Sequence, residues 1–150
     1  MSPSDAGTKE NASLGQRWSR ALETLFRERE TALPAFLSLY DEHIQFQDPL
    51  HRVSGLAAYA ELNRRFLARA RRIEISVEEL AAQEGRLFAS WRMHFAPRFG
   101  PELTLEGVSH LRVREGRIVY QRDHFDIAGG VASAVPGLSA LYRAVLTRVT

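Results

Sequence analysis

The chain has 150 residues, with 20 Lys plus Arg against 18 Asp plus Glu and no cysteine. A net charge of +2 offers no strong basic surplus for nucleic acid, and the missing cysteines exclude disulfides, cysteine-ligated zinc and thiol catalysis. No apolar run reaches the length of a membrane span, and the polar first residues lack the apolar core of a secretory leader, so a soluble cytoplasmic protein is expected.

Residues 1–12 are polar and rich in small side chains, which predicts a disordered tail ahead of a single domain over 13–150. Leu14, Trp18, Ala21, Leu22, Leu25 and Phe26 recur at helical spacing after Ser13, a candidate N-cap, and predict a helix over 14–29. Pro34 opens a short second helix with Phe36, Leu37 and Tyr40 inward. His43 to Asp48 alternates as a strand whose inner row is Ile44, Phe46 and Asp48. After a loop over 50–54, Ser54 can cap a helix over 55–70 with Leu56, Tyr59, Ala60, Asn63, Phe66 and Leu67 inward. Strands follow around Ile73, Ile75 and Val77, and around Leu87, Ala89, Trp91, Met93 and Phe95. Gly129-Gly130 and Pro136-Gly137 mark flexible points before a helix carrying Leu138, Leu141, Tyr142, Val145 and Val149. Helices grouped ahead of a run of antiparallel strands predict an α+β domain, its sheet wrapped over the helices.

The stretch GVSHLRVREGRIVYQRDHFD, Gly107 to Asp126, reads as a hairpin. A three-residue loop, Arg114-Glu115-Gly116, would pair Leu111 with Val119, Ser109 with Gln121 and Gly107 with Asp123. These residues share one face with Leu105, Val113 and Phe125. Asp123 would then be a carboxylate on an apolar face with empty volume above the glycine. It is either the acid of a binding pocket or an ion-paired group at a strand end.

The order of elements, the strand ending FQDP, the helix start GLAAY and this hairpin resemble the nuclear transport factor 2-like cone, from Leu14 to about Ile127. Within that superfamily the chain is most similar to bacterial SnoaL-like proteins. The fold hosts isomerases, hydrolases, cyclases, transport factors and binding proteins. Similarity to ketosteroid isomerases implies a base at Asp48, in Asp48-Pro49, with Trp18 and Ser109 at the places of the oxyanion-hole donors. Similarity of QRDHFD to limonene epoxide hydrolases implies a water-activating role for Asp123. The arginine of that family's other pair is matched by Arg92, and its second aspartate has no counterpart.

Asp48 and Asp123 are therefore the catalytic candidates, expected to face one interior as acid and base. Trp18, Phe46, Tyr59, Trp91 and Met93 are expected either as an apolar wall for a hydrophobic small molecule or as ordinary core, with Ser109 and Gln121 as polar contacts. The leading expectation is an isomerase or hydrolase; the alternative is a non-catalytic ligand-binding or protein-interaction module. No glycine-rich phosphate loop and no metal-ligand spacing occurs, so neither cofactor nor metal is expected. His94, His110 and His124 fall on the outer face, where Phe88, Val108, Ile118 and Tyr120 predict a homodimer contact or, as the alternative, a surface covered by the C-terminal helix from Leu138 to Val149.

Overall fold

The computed structural model describes residues 3–149. The elements run α1 (Pro3–Glu28), a 3-10 turn (Arg29–Ala32), α2 (Leu33–Leu37), β1 (Tyr40–Gln47), β2 (Arg52–Ser54) and α3 (Leu56–Arg69). They continue as β3 (Ala70–Gln83), β4 (Arg86–Pro97), β5 (Leu103–Arg114), β6 (Arg117–Phe125), α4 (Ile127–Ala134) and α5 (Leu138–Val149). One sheet holds all six strands in the order β2-β1-β6-β5-β4-β3. The β1–β6 pair is parallel and the rest are antiparallel, which gives the expected α+β architecture. No helix among the described residues is long and apolar enough to cross a membrane.

Helix α1 lies across β3 and β4. Its stripe of Leu14, Trp18, Leu22, Leu25 and Phe26 is buried at the spacing of one helix face. The helix begins well before the predicted start. Residues 3–12, expected as a disordered tail, are helical, and Ser13 lies mid-helix rather than at a cap. Asp5 in the first turn suits the positive end of the helix dipole, and Asn11 is already buried. Met1 and Ser2 lie outside the described residues.

Three other boundaries move. Tyr40 opens β1 instead of closing a helix, and it is buried in the sheet. The expected loop over 50–54 contains β2, paired with β1 through Gln45↔Ser54 and Phe46↔Val53. Ser54 does not cap α3: Gly55 holds the N-cap position, and the Ser54 hydroxyl instead accepts from Gln45 Nε2 at 2.6 Å. The diglycine Gly129-Gly130 sits inside α4, which Asp126 caps by accepting from the Gly129 N–H at 2.9 Å.

The hairpin corrects the predicted register. Its turn is the two-residue Glu115-Gly116, with φ 51° and 73°, the mirror-image geometry that suits strand twist. A bulge follows: Arg112 pairs with Tyr120 but Val113 pairs with Ile118, leaving Val119 unmatched. Two consequences reach the interior. Ile118, expected on the outer face, turns inward and is fully buried. Beyond the bulge Asp123 pairs with Ser109 and Gly107 with Phe125. The space over Gly107 is not empty, because the Trp91 ring fills it; a Cβ there would collide with that ring and lie 2.8 Å from the His124 carbonyl.

Candidate functional site

The inner rows of β1, β4, β5 and β6 face α3 and α1 across a cavity of about 260 Å³. Its walls are apolar, with Phe46, Phe66, Phe95, Phe125, Trp91, Met93, Ile75 and Leu105 among the lining. The polar groups on the lining are Asp48, His51, Tyr59, Asn63, Ser109, Gln121 and Asp123. No lysine or arginine lines it among the described residues.

Alternation along β6 puts Gln121 and Asp123 on this face, and β5 supplies Ser109 directly opposite Asp123. The Ser109 hydroxyl donates to Asp123 Oδ1 at 2.6 Å, and Gln121 Nε2 donates to the same oxygen at 2.9 Å. Oδ2 has no hydrogen-bond partner among the described residues. The two donors are themselves held. Trp91 Nε1 donates to Ser109 Oγ at 3.0 Å. Gln121 Oε1 accepts from the Tyr40 hydroxyl at 2.6 Å and from the Tyr59 hydroxyl at 3.4 Å. Trp18 Nε1 in turn donates to the Tyr40 oxygen at 2.8 Å. Two indoles thus anchor two short chains of hydrogen bonds that end on one carboxylate oxygen.

Burial dominates the Asp123 carboxyl and penalises its charged form; Ser109 and Gln121 act in the opposite direction, and the Asp48 charge adds to the burial effect. The net result lifts its pKa from 3.8 to about 6. Burial also raises the Tyr40 and Tyr59 phenols, so both remain donors at neutral pH.

Asp48 meets different surroundings. It follows β1, and its Oδ1 accepts the backbone N–H groups of Leu50 at 2.7 Å and His51 at 2.6 Å. The His51 ring sits 3.1 Å from both carboxylate oxygens. Asp48 therefore closes a tight turn after the strand, as Asp-Pro sequences favour.

Of the site residues read from sequence, Asp48, Asp123, Phe46, Tyr59, Trp91, Met93, Ser109 and Gln121 all line the cavity. Trp18 does not: it is fully buried, and its indole N–H is hydrogen-bonded to Tyr40, which leads to Gln121. Sequence reasoning missed Tyr40 and His51. Tyr40 shares the parity of Ile44 and Phe46, but Glu42 between them is exposed and the ladder is irregular between Tyr40 and Gln45, so simple alternation does not reach it. His51 stands three residues after an aspartate that begins a proline turn, a spacing that brings the two side chains together. No group of three or more His, Asp and Glu side chains is placed to hold a metal among the described residues.

The sequence profile of the SnoaL-like domain matches residues 17–121. No curated protein matches the chain in sequence. Among solved structures, an NTF2-like protein of unknown function from Burkholderia pseudomallei is 18% identical, with a TM-score of 0.71 over 85% of this chain and 98% of that one. An LEH-like epoxide hydrolase of M. tuberculosis is 18% identical, with a TM-score of 0.65 over 85% and 96%. A candidate ketosteroid isomerase of Kribbella flavida is 20% identical, with a TM-score of 0.66 over 79% of each chain. At these identities the likeness is one of fold. The profile match covers most of the chain, and with the six-stranded sheet and long first helix it shows that the protein belongs to the SnoaL-like family, on the nuclear transport factor 2-like fold.

Proposed function

We propose that the protein is an acid–base catalyst, an isomerase or hydrolase, working without a cofactor on an uncharged hydrophobic molecule of one or two rings. One observation carries this reading. Asp123 lies in an apolar cavity with Oδ1 fixed by Ser109 and Gln121 and Oδ2 unpartnered, and its pKa is pushed to about 6. A carboxyl poised near neutral pH can both take and give a proton. The cavity volume of about 260 Å³ fits one or two rings, and the absence of lysine or arginine from its lining disfavours an anionic ligand. Epoxide hydrolase and isomerase relatives on the same fold agree with proton-transfer chemistry.

The test uses 2-tetralone, a neutral bicyclic ketone with acidic C–H bonds. Its α-proton exchange in D₂O, followed by ¹H NMR, should be accelerated by the wild type and not by Asp123→Asn. Binding of 2-tetralone without any accelerated exchange would replace this reading with the non-catalytic one.

A homodimer through the outer sheet face is part of the proposal. Phe88 stacks on His110 at 4.6 Å, Arg112 covers the Tyr120 ring at 4.7 Å, and Val108 is 42% exposed beside them. Such an aromatic patch suits a second copy better than water. Sedimentation of only a 17.0 kDa species at micromolar concentration would rule this out.

A further inference from the structure

Asp48 and His51 form a pair for which the role given to Asp123 has no use. The last β1–β6 pair is Gln47↔Arg122, so Asp48 and Asp123 each follow directly on a member of that pair. Both Asp48 and His51 line the same cavity as Asp123. The Asp48 side chain is 13% exposed and that of His51 40%. Two backbone N–H groups hold the Asp48 carboxylate in place, and its two oxygens meet His51 Nδ1 at 3.1 Å each.

An ionised carboxylate only accepts hydrogen bonds, so Nδ1 must carry the hydrogen. Nε2 is then the lone-pair nitrogen of the neutral ring, and a donor when the ring is charged. It has no partner among the described residues. A carboxylate that fixes the tautomer and orientation of an imidazole beside a cavity is the arrangement by which an otherwise ordinary histidine becomes a directed base.

We propose that His51 is a second proton-transfer group of this cavity, its Nε2 exchanging protons with a bound uncharged carbonyl compound while Asp48 holds the ring. The inference rests on the acid–base reading of Asp123. In an enolisation, the C–H bond beside the carbonyl breaks and its proton forms the Nε2–H bond. The electron pair left on carbon becomes the C=C bond of the enol. The carbonyl oxygen takes the proton from Asp123 Oδ2. Return of the Nε2 proton to carbon and of the enol proton to Asp123 restores both groups, and nothing is oxidised or reduced. His51 is the catalytic residue of the pair and Asp48 its positioning residue.

The experiment measures 2-tetralone exchange in D₂O for wild type, His51→Gln and Asp48→Asn. In His51→Gln, kcat should fall about a hundredfold, within the usual range for a lost acid–base group, with KM and thermal midpoint little changed. Asp48→Asn keeps an oxygen for the Leu50 and His51 N–H groups but offers the ring a neutral amide. Its ¹⁵N spectrum should show the hydrogen moved to Nε2, and kcat should fall as far as in His51→Gln. Wild-type exchange by His51→Gln would overturn the proposal and leave the role of Asp123 standing. No exchange by the wild type would overturn both. Should His51→Gln fail to fold, Asp48→Asn decides the matter: a reversed tautomer with an unchanged rate removes His51 from the chemistry.

Discussion

Replacing Asp123 by asparagine should make the protein more stable at neutral pH. An unfolded aspartate titrates near 3.8, and in the fold Asp123 titrates at about 6. Below pH 3.8 both states are protonated and the group costs nothing. As pH rises from 3.8 to 6 the unfolded chain releases its proton while the folded chain keeps it, so stability falls. Above 6 the full penalty stands. A shift of roughly two pH units corresponds to about 3 kcal/mol. Asparagine removes the charge and can still present its Oδ1 to Ser109 and Gln121, with the amide nitrogen in the place of Oδ2. Asp123→Asn should therefore gain about 2–3 kcal/mol at pH 7.5, roughly 4–12 °C in Tm for a domain of this size, and the gain should vanish by pH 4. Thermal melts of both proteins from pH 4 to 8 read this directly. A variant less stable than wild type at pH 7, with the gap closing toward pH 4, would mean that the carboxylate is ionised and stabilised by its donors, and the burial argument would be wrong.

Three further substitutions probe the supports. Tyr40→Phe strips the partner from Trp18 Nε1 and the closer of two donors from Gln121 Oε1, so it should cost about 1–3 kcal/mol in urea denaturation; a neutral result would mean that water replaces the hydroxyl. Gly107→Ala drives a methyl into the Trp91 ring and should cost about 1–3 kcal/mol while breaking the indole contact with Ser109, visible as a changed tryptophan emission. Arg29, at φ 61°, donates to the carbonyls of Leu67, Ala70 and Arg71, where α3 runs into β3. Arg29→Ala should lower stability by about 1.5–3 kcal/mol, and full retention of Tm would show that solvent serves those carbonyls equally well.

Much of this arrangement was legible in the residues. Periodicity of two placed Phe46, Trp91, Met93, Ser109, Gln121 and Asp123 on one inner face because strand alternation is fixed by backbone geometry. What escaped was what alternation does not contain. The two-residue turn shifts the register by one and turns Ile118 inward, and the bulge at Val119 shifts it by one more, so every residue beyond it has a new partner but keeps its predicted face. Pattern alone has no signature for such a bulge when the extra residue is itself apolar. Trp18 was placed by its helix face, which is correct, but its depth depends on how closely α1 approaches the sheet. Gly15, whose added Cβ would lie 3.3 Å from Leu87, lets that approach happen. The indole consequently ends beneath the cavity wall rather than in it.

The contrast between the two carboxylates follows from their places along the strands. Asp123 lies within β6, opposite Ser109 of β5 and one residue past the last β1 pair at Arg122. Its donors among the described residues are two side chains, Ser109 and Gln121, and both reach the same oxygen. Desolvation therefore outweighs the donors, and the group stays near its titration point at neutral pH. Asp48 stands just past the end of β1, where the chain turns and the N–H groups of Leu50 and His51 point to its side chain instead of a neighbouring strand. Donors abound there, and an imidazole adds one more. One strand interior and one position past a strand end thus give two carboxyls on the lining of one cavity with different partners, side chains for Asp123 and backbone N–H groups with an imidazole for Asp48.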